Sequence, residues 1–349
     1  MDKFAGKEKL SMKIGIVTVY NSLNCGSFLQ AYALKKTLEK EGHQVVFVKR
    51  EVYKSNKFLQ RVILAIKRGI KGDIKRSKCI LNEYFAFNKI QSTVPVTEEL
   101  KDLDMIVYGS DTIWNFEDQY FKDNWKKYWG VGVDNKKITY AASVGTTDEK
   151  EFVGNFDLEK CINEFSAVSV RDEHTYKIAS KMLDGEKEPV LVTDPTMLVD
   201  VSEYEAVEKP CTEKNFILMY YFGNMPKELE EKIKAFAKEQ GKKIIYFGKD
   251  IPFEPGRMIG YYKAADYVIT NTFHGNVFSI IYNKQFVSFG KEKKKVEILL
   301  RDFGLSDRLL DVSQDPTETL LSNIDYEKVN EILEEKRKES LDYLMTHTK

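Results

Sequence analysis

Hydrophobic and polar positions alternate along the chain in blocks that predict strands and helices in turn. The first block, "KIGIVTVY" (Lys13–Tyr20), is a nearly continuous apolar run, which is typical of a parallel strand covered on both faces. The turn "NSLNCGS" follows, and "FLQAYALKKTLEKEG" is then an amphipathic helix with Gly42 as its C-cap. The run "QVVFVKR" returns as a second strand. The pattern therefore predicts a βαβ unit with a right-handed crossover.

The same alternation fills two halves of the chain. Further strands are predicted at Met105–Tyr108, Ile138–Ser143, Ala167–Val170 and Val190–Thr193. The alternation stops in a polar segment after Asp194–Asp200, and "FILMYYFG", "PKELEEKIKAFAKEQG" and "KIIYFG" then resume it. We predict an α/β protein with two doubly wound, Rossmann-like domains facing a cleft. The predicted parts are a disordered tail over 1–11, an N-terminal domain over 12–200, a C-terminal domain over 212–322 and a helix over 323–349.

Composition and charge narrow the classes of function. The 349 residues suit two domains. The 54 basic residues balance 54 acidic ones, so the chain has no net positive charge that would attract nucleic acid. The sequence contains no run of about 18 apolar residues that would span a membrane. The four cysteines and four histidines are scattered without ligand spacing, which argues against a metal site and a disulfide framework. We expect a cytoplasmic protein that holds no metal.

Small polar residues follow many predicted strands, at the edge where open α/β sheets bind ligands. Such residues are also ordinary turn formers, so each segment alone has a purely structural explanation. Arg171 and His274 are not turn formers, and five such strand ends in one chain indicate a site. The candidate binding residues, including two from the glycine turn before the first helix, are Asn24, Gly26, Ser110, Asp111, Asn115, Ser143, Thr272 and Gly275; the candidate catalytic residues are His274, Arg171 and Asp194.

His274 stands where a strand, Asp266–Thr270, gives way to apolar residues at helical spacing over Asn276–Asn283. The N-terminus of a helix offers free N–H groups and a positive dipole end, which favour a bound anion and lower the pKa of a histidine. Gly275 would let the backbone approach that anion. The structural alternative is a histidine that caps its own helix or packs beneath Tyr267.

Six segments, taken in order, resemble the polysaccharide pyruvyl transferase family from Met12 to about Leu310. They are "KIGIVTVYNSLNCGSFLQAYAL", "YGSDTIWN", "YAASVG", "VSVRDE", "VTDPTML" and "ITNTFHGNVFSIIYNK". The resemblance implies a GT-B-like fold with the acceptor on the N-terminal domain and the donor on the C-terminal one. It also implies transfer of the pyruvyl group of phosphoenolpyruvate to two hydroxyls of a sugar, which forms a ketal without a further cofactor.

By the same resemblance, His274 corresponds to the catalytic histidine, Arg171 to an anion-binding arginine and Asp194 to the acid of an Asp-Pro turn. The acceptor would be a bacterial cell-surface polysaccharide or its lipid-linked precursor. Many family members carry an arginine where this chain has Thr272, so Arg171, Arg257 or the lysines at 293–295 would have to replace it.

Two other functions stay open on the sequence. One is a GT-B glycosyltransferase that uses a nucleotide sugar, with Glu254 or Glu292 as candidate partners of the ribose. The other is a non-catalytic glycan-binding or glycan-assembly protein that has lost its donor site.

The segment "KSNKFLQRVILAIKRGIKGDIKRSK" (Lys54–Lys78) holds nine basic residues and one acid. Six apolar residues in it are spaced to form one stripe on a helix: Val62, Ile63, Leu64, Ile66, Ile70 and Ile74. Such a helix either lies on an anionic membrane, giving peripheral contact at the inner membrane face, or packs its stripe on the core with its lysines solvated.

Overall fold

The computed structural model describes residues 11–49, 57–185 and 187–349. The predicted tail lies outside the described residues, apart from Ser11. The strands are β1 (Lys13–Val17), β2 (Gln44–Val48), β3 (Val96–Thr97), β4 (Met105–Tyr108), β5 (Lys136–Thr139), β6 (Ser169–Val170), β7 (Val190–Leu191), β8 (Phe216–Tyr220), β9 (Lys243–Tyr246), β10 (Tyr267–Thr270) and β11 (Gln285–Ser288). The helices are α1 (Cys25–Lys40), α2 (Phe58–Ile70), α3 (Ile74–Gln91), α4 (Gln119–Asp123), α5 (Trp125–Tyr128), α6 (Phe156–Asn163), α7 (Glu173–Met182), α8 (Lys227–Glu239), α9 (Pro255–Ala264), α10 (Phe273–Ile281), α11 (Lys294–Asp302), α12 (Thr317–Leu321) and α13 (Tyr326–His347).

The N-terminal half forms a parallel sheet in the order β3-β2-β1-β4-β5. β1 lies at its centre and pairs with both β2 and β4, which explains why its apolar run does not alternate with polar residues. The short pair β6–β7 continues this sheet through single bridges from Ile138 to Ala167 and from Ala142 to Val170. Buried apolar side chains cover the sheet on both of its faces.

The C-terminal half forms a second parallel sheet in the order β11-β10-β8-β9. Helices again cover it, and their buried side chains make up two apolar clusters. The predicted α/β class with two doubly wound, Rossmann-like domains facing a cleft is confirmed. The exact limits of the domains, 12–200 and 212–322, stay a prediction.

The last helix, α13, contacts both halves of the molecule. Near its start Val329 and Leu333 pack into the apolar cluster of the second sheet. Near its end Tyr343 and Leu344 pack on the first sheet. The Tyr343 hydroxyl donates to the carbonyl of Thr139, at the end of β5, over 3.0 Å. This helix therefore connects the two sheets.

The basic segment differs from its predicted form. The described part, from Lys57 onward, is two antiparallel helices, α2 and α3, rather than one. Ala65 is the only buried residue of α2, and most of the predicted stripe is exposed. The interpretation that this stripe packs on the core is therefore wrong. Apolar spacing identified the helix but could not show which of its faces is covered.

Truncating Tyr343 tests how much the packing of α13 on the first sheet stabilises the protein. We expect Tyr343→Ala to lower the free energy of unfolding by about 3–5 kcal/mol, because a buried aromatic ring is removed and a buried carbonyl loses its donor. The neighbouring exposed residue provides the control, and Asp342→Ala should change stability by less than about 0.5 kcal/mol. Urea denaturation measures both, and equal effects would show that α13 contributes little.

Candidate active site

The strand order places two chain reversals opposite each other. In the first sheet, β1 is followed by β2 on one side and β4 is followed by β5 on the other side. In the second sheet, β8 is followed by β9 on one side and β10 is followed by β11 on the other. Ligands of open α/β sheets bind in the crevices at such points, beyond the carboxyl ends of the strands. Residues 24–27 follow β1, residues 110–111 follow β4, and residues 272–274 follow β10. The two crevices meet across the cleft.

The starts of α1 and α10 are in direct contact. The carboxamide oxygen of Asn24 accepts from the N–H groups of Gly26 and Ser27, so Asn24 is the N-cap of α1. The His274 ring lies against Gly26: a Cβ at Gly26 would stand 2.1 Å from Nδ1 of His274. Gly26 thus provides room for the histidine of the other domain rather than an open approach for a ligand.

α10 begins three residues earlier than the apolar spacing predicted, so His274 and Gly275 lie in its first turn. Thr272 is the N-cap, and its hydroxyl accepts from the N–H of Gly275 over 2.9 Å. A Cβ at Gly275 would stand 2.1 Å from the hydroxyl of Thr270, so the space beside Gly275 is filled by its own turn. The N–H groups of Phe273 and His274 make no hydrogen bond to a described residue, and the helix start can still receive an anion.

The three candidate catalytic residues are brought together. Nη1 of Arg171 donates to Oδ2 of Asp194 over 2.7 Å, and both side chains are almost fully buried. Nε2 of His274 lies 3.8 Å from the same oxygen, which is too far for a hydrogen bond. That nitrogen is buried and has no hydrogen-bond partner among the described residues. A buried, unsatisfied ring nitrogen is costly in a folded protein and is a recognised mark of a functional group.

Asp111 is the second carboxylate of the cluster. Ser27, in the first turn of α1, donates to its Oδ2 over 2.6 Å, which joins the ends of β1 and β4. Burial alone would raise the pKa of Asp111, but Arg171, His274 and Ser27 outweigh it and hold this pKa below its ordinary value. Asp111 is therefore an anion at neutral pH and lines the cleft in ionised form.

The pKa values of His274 and Asp194 are both lowered. Burial lowers the pKa of His274, and this effect exceeds the opposing influence of Asp194 and Asp111. Burial raises the pKa of Asp194, but His274 and Arg171 outweigh burial and bring it below its usual value. At neutral pH the ring is consequently neutral and able to accept a proton, while Asp194 is ionised and paired with Arg171.

Two cavities adjoin this cluster. The larger, of about 430 Å³, is lined by His274, Asp111, Ser27, Asn24 and Arg61, among others. The smaller, of about 180 Å³, is lined by Arg171, Asp194 and residues of α11 and α13. Lys295 lines both cavities.

Lys295 and Arg171 both make cation–π contacts with the ring of Phe273. The Lys295 ammonium lies 5.6 Å from the ring centre of Phe273, and the Arg171 guanidinium lies 4.9 Å from it. Enclosure by the cleft walls and the neighbouring Arg171 lower the pKa of Lys295. Lys295 forms no salt bridge with a described residue, so its charge is available to a ligand.

Three candidate binding residues do not line these cavities, and the side chains of two of them, Asn115 and Ser143, hold loops in place. The Asn115 oxygen accepts from the Glu117 N–H and from the Thr147 hydroxyl. Ser143 donates to Asp172 over 2.6 Å. Ser110 is fully buried, and its hydroxyl oxygen has no hydrogen-bond partner among the described residues.

Within the described ranges, no three His, Cys, Asp or Glu side chains are grouped so as to hold a metal ion.

The sequence places the chain in a known family. The family model described as polysaccharide pyruvyl transferase matches residues 24–291, which is more than three quarters of the chain. The chain belongs to the polysaccharide pyruvyl transferase family. The match includes every candidate catalytic and binding residue. No curated protein sequence matches this chain.

Solved structures share the two-domain architecture at low identity. A putative UDP-N-acetylglucosamine 2-epimerase from Listeria monocytogenes has 10% identity and a TM-score of 0.48, over 95% of this chain and 91% of that chain. The UDP-GlcNAc 2-epimerase of Methanocaldococcus jannaschii has 9% identity and a TM-score of 0.47, over 93% and 92%. MurG of Acinetobacter baumannii has 12% identity and a TM-score of 0.41, over 96% and 98%. These weak likenesses decide nothing about the activity of this family member.

Sequence reasoning missed Ser27, Phe273 and Arg61, and it named Lys295 only as one of three lysines. Ser27 could have been found, because it lies one residue beyond Gly26 in the same turn. Phe273 and Arg61 carried no signal, since their places in the site depend on contacts between distant elements.

The contact between the two domains can be tested at Gly26. We expect Gly26→Ala to lower the free energy of unfolding by about 1–3 kcal/mol, because the new methyl group must displace the His274 ring. The matched control is Gly69→Ala in α2, where the nearest atom would be 3.6 Å away, and it should raise stability by up to about 1 kcal/mol. Urea denaturation gives both values. If the two substitutions changed the free energy of unfolding in the same direction, the close contact between Gly26 and His274 would be contradicted.

Proposed function

We propose that this protein transfers the pyruvyl group of phosphoenolpyruvate to two hydroxyls of a sugar, as a pyruvate ketal. The acceptor is a sugar of a bacterial capsule, exopolysaccharide or other cell-surface polysaccharide, or its lipid-linked precursor. The observation that carries the proposal is the buried, unpartnered Nε2 of His274 at a helix start, 3.8 Å from Asp194 and close to Arg171 and Lys295. The neutral His274 ring can accept a proton, and the unpaired Lys295 ammonium can bind one of the two anionic groups of phosphoenolpyruvate.

The donor needs partners for a carboxylate and a phosphate. The unpaired N–H groups at the start of α10 and the Lys295 ammonium supply positive charge on the cleft surface. Arg171 uses Nη1 for Asp194 and retains other N–H groups of its guanidinium fork.

Lys295 also takes the place of the arginine that many family members have at position 272. Among the residues considered for that role, Arg257 donates to Glu254 and lies outside both cavities. Lys293 donates to the carbonyl of Asn271 over 2.7 Å. Lys294 lines neither cavity, so among the three lysines Lys295 is the one placed to bind the donor.

The proposed reaction balances with no cofactor and no metal. A proton is added to the methylene carbon of phosphoenolpyruvate, which leaves an oxocarbenium-like centre at the adjacent carbon. One sugar hydroxyl attacks that centre and gives up its proton, the bond from carbon to phosphate oxygen breaks, and a second hydroxyl closes the ring. Two hydroxyl protons are released; one replaces the proton taken up by carbon and one leaves with phosphate. His274 accepts and returns a proton, since its ring is neutral in the free protein.

A nucleotide-sugar donor finds less support in the site. Glu254 is nearly buried and forms salt bridges with Lys209 and Arg257, so it is not free to bind a ribose. Glu292 is exposed beside Lys293 and lines neither cavity.

We place the reaction in the cytoplasm or at the inner membrane face, where lipid-linked precursors present their sugars. All four cysteines are free, which suits a reducing compartment. Within the described residues, none of the helices is long and apolar enough to cross a membrane.

Replacing the histidine tests the mechanism. We expect His274→Gln to lower the rate of phosphate release from phosphoenolpyruvate in the presence of acceptor by about 10²–10⁴-fold, the usual loss on removal of an acid/base group. The control is His347→Gln, at the end of α13 and away from both cavities. A folded His274→Gln protein with near-normal turnover would exclude His274 as the proton carrier.

Changing Arg171 to lysine distinguishes a role of this residue in donor binding from a role in the stability of the protein. The charge and the pair with Asp194 can persist, but a point charge cannot reproduce the fork geometry, so we expect phosphoenolpyruvate affinity to fall about tenfold or more. Calorimetry measures the affinity, and Arg257→Lys, outside the cavities, should leave it unchanged. If Arg171→Lys keeps full affinity and only the melting temperature falls, Arg171 serves the ion pair alone.

A further inference from the structure

Helix α2 presents an apolar stripe to solvent. Leu59, Ile63, Ile66 and Ile70 follow one another at steps of four, three and four residues, so they share one face of the helix. Their exposed fractions are 66%, 37%, 56% and 81%. Ile74, 54% exposed, continues the patch at the start of α3. We call these five residues the α2 stripe.

Folding of the chain does not require the stripe. The opposite face of α2 holds the helix in place, with Ala65 buried and Arg61 donating to the buried carboxylate of Glu83 over 2.7 Å. Arg76 of α3 binds the same carboxylate, and α3 is in turn tied to the C-terminal half by Lys75 and Asp250. The stripe is therefore left uncovered on a helix that is firmly anchored.

Exposed basic side chains are frequent on the helix pair that carries the stripe. Lys57, Lys67, Arg68, Lys71 and Lys78 are exposed and form no salt bridge with a described residue. The two acids of the helix pair are already engaged: Asp73 caps α3 by accepting the Arg76 N–H, and Glu83 lies beneath the two arginines. The surface thus carries an unbalanced positive charge in a chain whose net charge is zero.

Helix α2 also borders the candidate active site, through the face opposite the stripe. Arg61, within the same turns of α2 as Leu59 and Ile63, lines the 430 Å³ cavity together with His274 and Asp111. The face of α2 that carries Arg61 therefore bounds the cavity, and the stripe lies on the opposite face of the same helix. A molecule bound to the stripe would therefore contact a helix that forms part of the cavity wall.

We propose that the α2 stripe and the exposed bases of the same helix pair dock the protein on the surface of an anionic phospholipid membrane. A helix pair that exposes both an apolar stripe and unpaired lysine and arginine side chains suits a layer whose acyl chains lie beneath negative headgroups. A second copy of this chain is a poorer fit, because it would bring two sets of unpaired bases together. This inference goes beyond the proposed reaction and holds for any substrate.

Vesicle co-sedimentation tests the proposal with the full chain. Wild-type protein should sediment with phosphatidylcholine vesicles that contain phosphatidylglycerol and not with pure phosphatidylcholine vesicles. Binding should weaken at least tenfold between 0.05 M and 0.5 M NaCl. The Debye length is about 10 Å at 0.1 M salt and shortens as salt is added, so the attraction between the bases and the lipid headgroups is screened. No binding to either vesicle, or binding that depends on neither charge nor salt, would overturn the proposal.

Matched variants separate the apolar and basic contributions. Ile66→Ser with Ile70→Ser, and separately Lys67→Gln with Arg68→Gln and Lys71→Gln, should each weaken binding about tenfold or more while the melting temperature stays unchanged. The controls are Phe156→Ser, at a site that is 78% exposed, and Lys214→Gln with Lys227→Gln and Lys238→Gln in the C-terminal half. They should bind as the wild type does.

If the controls weaken binding equally, the docking surface lies elsewhere. If the wild type forms a dimer without lipid, and the two serine substitutions abolish that dimer, the stripe is a self-association surface and the membrane proposal is wrong.

Discussion

The contact of His274 with Gly26 is the constraint on which the site depends. It joins the first turn of α1 to the first turn of α10, and so brings together the carboxyl ends of two sheets from different domains. The Arg171–Asp194 pair and Asp111 then lie close to the ring. Burial keeps the ring neutral, while its Nε2 remains without a partner. Those conditions make His274 able to exchange protons.

Much of the fold could be predicted from the sequence, because buried parallel strands are distinctive. The prediction matches β4 residue for residue, and it placed β10 within one residue of its observed ends, whereas the segment predicted for β8 runs three residues too far. Helix starts were harder. The beginning of α10 depends on the Thr272 cap, which is a local hydrogen bond, and apolar spacing alone does not reveal it. The α2–α3 pair was misjudged because spacing shows a stripe but not what covers it.

The site was predictable to the extent that strand ends carry it. His274, Arg171, Asp194 and Asp111 meet, although they are spread over more than 160 positions in the chain. Asn115 and Ser143 are also polar residues that follow strands, yet their side chains hold loops together. A sequence cannot separate these two uses of a turn former. Lys295 joined the site only through the packing of α11 across the cleft.

Donor binding tests the central claim most directly. Calorimetric titration of the purified protein with phosphoenolpyruvate, and separately with UDP-N-acetylglucosamine, compares the two donor classes on one site. The account predicts one phosphoenolpyruvate per chain, competition by inorganic phosphate, and at least about tenfold weaker binding in Lys295→Met, because a charged hydrogen-bond donor is removed. Binding of the nucleotide sugar with no detectable binding of phosphoenolpyruvate would contradict it.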